Sequence, residues 1–252
     1  MKQIPNLFTL LNLLLGCLAI VNIVQTGLTI MNDDAGMQLV EIPETMYWAS
    51  VYIAAAAVID FFDGFIARLF KATSDMGKQL DSLADVVSFG VAPGMIVYQF
   101  LRLAYAQQEN GLNVSALWLL PAFIIPCAGA YRLARFNIDT AQTLGFKGLP
   151  IPAAGLFIAA FPLIYWQTNT PWIIELLRNK WFWYAVIVFV SYLMISTLPM
   201  LALKFKTVNF TQLLPFVIVL MVGLLSAFLL QWMAVPVAVI TYVFVSLLFK
   251  KQ

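Results

Sequence analysis

The sequence predicts an all-α protein: a polytopic transmembrane helix bundle of about eight helices, with a six-helix core and a C-terminal helix pair. Three observations carry this. Of the 252 residues, 62% are hydrophobic and only 10% are charged, and the mean hydropathy is +0.90. A soluble domain is nearer a quarter charged. The apolar residues fall in runs of the roughly 20 residues that a membrane helix needs, and the charges gather between those runs.

The runs lie at roughly 7–29, 46–70, 79–105, 115–136, 152–169, 181–203, 211–231 and 233–249. The first is too long for a signal peptide, lacks a small-residue cleavage pattern and has only Lys2 on its polar flank. "IPETMYW" reads as an outward turn leading into the second run. In the third run, Pro93 must break or kink the backbone ladder. "WFWY" at 181–184 reads as part of an interfacial aromatic belt. Cys17 and Cys127 read as small buried apolar residues, and two such cysteines make no disulfide framework. The whole chain, 1–252, is one membrane domain, divided into a catalytic core over 1–203 and the helix pair over 204–252.

Eleven of the 14 basic residues fall at one set of helix ends, and only Arg102, Arg178 and Lys180 at the other. Positive charge marks the cytoplasmic side. Both termini are therefore expected in the cytoplasm, as an even number of spans requires. A net charge of +2 gives no footprint for nucleic acid. Histidine is absent, which excludes a histidine base, zinc ligand or phosphohistidine. Any metal must then be held by oxygen, which points to a hard cation.

One stretch departs from the apolar pattern. "DFFDGFIARLFKATSDMGKQLDSLAD", residues 60–85, holds five of the 12 acidic residues. Asp60 and Asp63 are three apart, with Gly64 and Ala67 keeping that helix face small. Gly77, Asp81 and Asp85 are spaced by four on the next helix, about 40° of rotation per step, and share a face. A short connection makes the two helices antiparallel neighbours. Four carboxylates then converge at one edge of the bilayer. They cannot all stay ionised in a partly apolar site, so either some are protonated or cations are bound. Mg²⁺ shared with substrate phosphates is the expected arrangement, with two ions clamping a phosphate between the Asp pairs. The alternative is a set of helix caps and loop charges paired with Arg68, Lys71 and Lys78. Asp75, in the "KATSD" turn, fits that alternative.

The pattern D-x-x-D-G-x-x-A-R, eight residues, G-x-x-x-D-x-x-x-D resembles the signature of the CDP-alcohol phosphatidyltransferases, and here it has no departure. "IPNLFTLLNLLLG", "SLADVVSFGVAPG", "YRLARFN" and "FKGLPIPAAG" look like the integral-membrane phosphatidylserine synthases of that family, and extend the resemblance through most of 1–155. The resemblance implies transfer of the phosphatidyl group from CDP-diacylglycerol to L-serine, giving phosphatidylserine and CMP, with Mg²⁺ or Mn²⁺ as cofactor. It implies the cell (inner, cytoplasmic) membrane, with the site on its cytoplasmic side. Homodimers are common in the family, though no residue here specifies one.

By resemblance, Asp60, Asp63 and Asp81 are metal ligands, and Asp85 is a ligand and the catalytic base, with Asp81 the second choice. Gly64, Ala67 and Gly77 leave space for the cytidine nucleotide or serve helix packing. Arg68 pairs with the pyrophosphate or is an interface charge. Asn6, Thr9 and Asn12 put polar atoms on the first helix, near the nucleotide in this family, although Asn6 also suits a helix cap. Arg132, Arg135 and Lys147 form the pool for the serine carboxylate and the phosphate, or anchor the membrane surface. Ser88, Gly90 and Pro93 stand where freed carbonyls facing a cavity can bind the serine ammonium. Glycerol 3-phosphate or an inositol phosphate as acceptor stays open, as does an ion-coupled carrier. The basic asymmetry makes a prediction: cysteines placed near Lys71 and Lys251 will be closed to an impermeant reagent outside intact cells, and outside labelling at either reverses the topology.

Overall fold

The computed structural model describes residues 4–25, 28–32, 38–69, 74–107, 113–138, 146–201 and 210–249. Helix α1 is Ile4–Gln25 and α2 is Thr45–Leu69, joined through a hairpin of β1 (Thr29–Asn32) and β2 (Gln38–Glu41). Helix α3 (Asp75–Asp85) runs without interruption through a π-helical segment, Val86–Val91, into α4 (Ala92–Ala106). Two 3₁₀ turns, Ala116–Trp118 and Leu120–Phe123, lead into α5 (Ile124–Ile138). Then follow β3 (Phe146–Lys147), α6 (Ile151–Gln167), α7 (Pro171–Leu177), α8 (Lys180–Ile195), β4 (Pro199–Met200), α9 (Phe210–Leu230) and α10 (Ala234–Leu248).

The expected runs each correspond to helical structure, and the chain is an all-α membrane bundle. Pro5–Gln25, Thr45–Phe65, Asp75–Ala106 and Leu213–Leu248 are long and apolar enough to cross a membrane, and Ile151–Gln167 and Lys180–Ile195 are shorter apolar helices. Leu213–Leu248 is not one straight rod. Gln231 has φ 51°, and a Cβ on Gly223 of α9 would come to 3.8 Å from the Ala238 side chain of α10. The two helices therefore fold back on each other. Helix α7 was not foreseen. Pro171 fits its first turn, where no backbone donor is needed, and Asn179 then caps the start of α8 by accepting from the Trp181 N–H at 2.9 Å. The sixth run ends early, at Ile195, because Ser196 turns its hydroxyl back onto the Leu193 carbonyl at 2.8 Å and Pro199 lies in a strand.

Pro93 does not break the third run. The missing donor is absorbed upstream, where the Ala92 N–H reaches five residues back to the Val87 carbonyl. Other helices approach the backbone of this π segment closely. A Cβ on Gly16 of α1 would stand 2.8 Å from the Ser88 Cα, and one on Gly155 of α6 would stand 2.9 Å from the Phe89 Cα. Only glycine lets these backbones approach so closely. Helix α5 lies against the same segment, with Pro126 beside Gly90.

Two expectations need correction. Trp183 of "WFWY" is fully buried rather than interfacial, stacking on Phe100 with centroids 4.4 Å apart and donating its indole N–H to the Leu177 carbonyl at 2.7 Å. Trp181, two residues earlier, is exposed. Cys17 and Cys127 are also on the outside of the bundle, each on a helix face turned from the core. In an apolar run such a face suits lipid, so hydrophobicity alone does not mean burial in protein.

The two ends of the bundle differ. At one, Glu41 of β2 pairs with Arg178 and accepts from the Tyr165 hydroxyl, while the Arg178 guanidinium sits 5.9 Å from the Tyr165 ring centroid. Gln99 donates to the Ile23 carbonyl at 3.0 Å, and Arg102 donates to Gln99 at 3.1 Å. At the other end lie the acidic residues.

Candidate active site

Three helices build the acidic site. Ser74 caps α3 by accepting from the Gly77 N–H at 3.0 Å, and Asp75 adds a carboxylate to that first turn, where the helix dipole favours it. The alternative reading of Asp75 as a helix-end charge therefore fits. From this start α3 points Asp81 and Asp85 at α2. Carboxylate oxygens of Asp60, Asp63 and Asp81 all lie within 4.8 Å of one another. Asp63 and Asp85 are both 6% exposed. Asp85 stands beside Asp60 but outside that group of three, one turn deeper along α3. So the predicted four converge as three plus one.

Helix α1 supplies the partners. The Thr9 hydroxyl donates to Asp63 Oδ2 at 2.8 Å, and the Asn12 amide donates to Asp85 Oδ1 at 3.3 Å. The Ser88 hydroxyl donates to the Asn12 carbonyl at 2.9 Å, which locks the depth of α1 against the π segment. The polar atoms on the first helix therefore orient carboxylates. That role was not read from the sequence, where Thr9 carries no mark of its distant partner.

The site fits a hard cation. Asp81 Oδ1 is buried with no hydrogen-bond partner among the described residues. Each of the three carboxylates can offer an oxygen to a shared centre, and an all-oxygen donor set with one orphaned oxygen suits a cation such as Mg²⁺ or Mn²⁺. Three like charges at this spacing repel strongly unless a cation lies between them.

A cavity of about 480 Å³ opens beside the cluster, lined by Pro5, Asn6, Thr9, Asp63, Gly64, Ser74, Asp75, Gly77, Lys78 and Asp81. A Cβ on Gly64 would meet nothing within 4 Å among the described residues, whereas one on Gly77 would come to 3.2 Å from Asn6 Oδ1 and 3.1 Å from Ser74 Oγ. Gly64 therefore keeps space open, and Gly77 admits a close neighbour. Lys78 was named before only as a possible charge partner. It lines the cavity and donates to the Asn137 carbonyl at 3.1 Å, while Asn137 donates to Ser82 at 2.8 Å. Ala67 and Arg68 belong to the last turns of α2, and their side chains lie outside the described residues. A larger cavity of about 720 Å³ at the opposite end includes Arg178, which is already committed to Glu41 and Tyr165.

The three basic candidates separate. Arg132 is 6% exposed, faces Asp85, and its Nε has no hydrogen-bond partner among the described residues. Arg135, one turn on, donates to the Ile195 and Ser196 carbonyls at 2.7 and 3.1 Å, clamping α5 to the end of α8. Lys147 is exposed on β3, where it pairs with Pro199 of β4.

The family model for CDP-alcohol phosphatidyltransferases matches residues 2–177. The chain belongs to the CDP-alcohol phosphatidyltransferase family. Among curated relatives, it is 33% identical over 171 residues to a CDP-diacylglycerol–serine O-phosphatidyltransferase of Bacillus subtilis strain 168, covering 66% of this chain and 78% of that one. It is 28% identical over 229 residues to the protein of the same name from Mycobacterium leprae, covering 87% and 72%. The Helicobacter pylori strain J99 protein of that name is 39% identical over 130 residues, covering 48% of this chain and 51%, about half, of that relative. The matched span includes the acidic cluster, the cavity and Arg132, and ends before α8.

The open space at Gly64 makes a prediction about this family member. Gly64→Ala will keep the melting temperature of the parent in detergent, because its methyl group meets no neighbour. It will weaken nucleotide-lipid binding, because that methyl group enters the cavity. A lowered melting temperature with unchanged binding would assign Gly64 to helix packing instead.

Proposed function

We propose that this phosphatidyltransferase moves the phosphatidyl group of CDP-diacylglycerol to the hydroxyl of L-serine, giving phosphatidylserine and CMP. The observation that carries this reading is the pairing of two things on either side of Asp85: the three-carboxylate cluster with its cavity, and the buried Arg132, whose Nε has no partner among the described residues. The first suits a pyrophosphate with its cations, and the second suits the carboxylate of an amino acid. The names of the relatives support serine as that amino acid.

In this reading Asp60, Asp63 and Asp81 hold one or two Mg²⁺ or Mn²⁺ ions, with Asp85 at the edge of the set. A bound divalent cation neutralises charge on the pyrophosphate oxygens as the transfer proceeds. Asn6, Thr9, Gly64, Ala67, Arg68 and Gly77 surround the nucleotide. Arg132 orients serine by its carboxylate, with Asn12, Ser88, Arg135 and Lys147 near the acceptor. Asn12 donates to one oxygen of Asp85 and leaves the other to take the proton from the serine hydroxyl. The serine oxygen bonds to the phosphatidyl phosphorus, and the bond from that phosphorus to the bridging oxygen breaks, so CMP leaves with the electron pair. The active site and both termini face the cytoplasm, in the cell membrane, and a homodimer is the assembly proposed.

The test is CMP release from CDP-diacylglycerol with a panel of acceptors. Serine is expected to support release, and glycerol 3-phosphate and inositol phosphate are expected to fail. Exhaustive EDTA treatment should stop the reaction and added Mg²⁺ or Mn²⁺ should restore it. Full activity in EDTA would sink the metal assignment. A second prediction concerns the base. Asp85→Asn keeps the shape and the Asn12 neighbour but cannot take a proton. It should lose turnover by roughly two to four powers of ten, the scale of a positioned base, with CDP-diacylglycerol affinity largely kept. Turnover within a few-fold of the parent would move the role to Asp81.

A further inference from the structure

The family match stops at residue 177, yet the C-terminal hairpin is fastened to the acceptor side of the site. On α10, the Tyr242 hydroxyl donates to the Leu201 carbonyl at 2.9 Å. One turn later, the Ser246 hydroxyl accepts from the Leu201 N–H at 3.2 Å and donates to the Tyr242 carbonyl at 2.6 Å. Both backbone groups of Leu201 are thus taken by side chains of one helix. Leu201 directly follows β4, and β4 pairs with β3, setting Pro199 against Lys147 and Met200 against Phe146. Just beyond Lys147, the Gly148 N–H donates to the Leu198 carbonyl at 2.8 Å. One run of hydrogen bonds therefore leads from α10 to Lys147.

The same tyrosine also lies within electrostatic reach of the second acceptor candidate. Arg132 lies within electrostatic reach of Asp85, Tyr242 and Arg135, and its Nε is left without a partner among the described residues. Arg132 on α5 is bracketed by the Asn137–Ser82 bond at one end and by Pro126 against Gly90 at the other, which puts it opposite Asp85.

We infer that Tyr242 is a positioning residue of the acceptor pocket: held on Leu201 with Ser246, it sets Arg132 and the Lys147 strand in register for the carboxylate of the amino-acid acceptor. This rests on the serine-transfer reading above. The α9–α10 hairpin is then a wall of the acceptor pocket in this chain.

The experiment uses the full chain in detergent, with CMP release measured against serine and CDP-diacylglycerol in turn. Parent activity with serine tests the underlying reading, and its absence would remove that reading whatever the variants do. With an active parent, Tyr242→Phe is expected to raise the KM for serine about three- to tenfold, the scale of one lost hydrogen bond. The KM for CDP-diacylglycerol and the melting temperature should stay at parent values. Ser246→Ala should do the same to a smaller degree, and it decides the question if Tyr242→Phe does not fold. Phe228→Ala, an exposed change on the same hairpin, should alter neither KM. An unchanged KM for serine, or equal rises in both KM values, would overturn the inference and leave Tyr242 a packing residue.

Discussion

The bundle depends on one constraint: three helices must reach the backbone of a single π-helical segment. Val86–Val91 has Gly16 of α1 on one side, Gly155 of α6 on another, and Pro126 of α5 against Gly90. The segment begins at the residue after Asp85. Whatever sets its position also sets the deepest carboxylate of the site. The Ser88 hydroxyl on the Asn12 carbonyl transmits that position to α1, and Asn12 and Thr9 then place Asp85 and Asp63. The acidic cluster is thus aligned by contacts made in the middle of the membrane domain. Repulsion among carboxylates whose oxygens lie within 4.8 Å opposes the arrangement, and rigid backbone packing is what resists it.

Local spacing made part of this legible. Asp60, Asp63, Asp81 and Asp85 announce themselves because helix geometry converts intervals of three and four into shared faces. The runs of apolar residues likewise mark the spans, since a helix satisfies all of its backbone groups within one such run. What stayed hidden depends on pairs far apart in the chain. Thr9 and Asp63 are 54 residues apart, and Asn12 and Asp85 are 73 apart. Arg132 and Arg135 look alike in "YRLARFN", yet one is buried, its Nε without a partner among the described residues, and the other clamps the end of α8. Their difference arises from which face α5 turns toward α3, and a near-uniformly apolar helix does not reveal that. Trp183 shows the same limit, because an aromatic near a helix end suits both a core and an interface.

The signature also distributes its tasks unevenly. Its carboxylates gather where an ion can neutralise them, whereas its glycines have separate uses. Gly64 borders open space and Gly77 a close contact with Asn6. Two residues of the same type within one motif thus answer to different constraints. The basic groups proposed for the acceptor side lie on α5 and β3, which are separate in sequence from the motif.

The ties at the far end of the bundle have a mechanical consequence. Glu41, Arg178 and Tyr165 bind the α1–α2 connection to α6 and to the residue after α7, and the Tyr184 hydroxyl, donating to the Trp118 carbonyl at 2.7 Å, joins α8 to the approach of α5. The long helices are therefore pinned where they are farthest from the acidic cluster. A helix of α2's length is about 37 Å long. Swung by roughly 5° about its pinned end, it would move its other end by about 3 Å. Small rotations at a well-fastened end would be enough to widen or narrow the cavity beside the carboxylates.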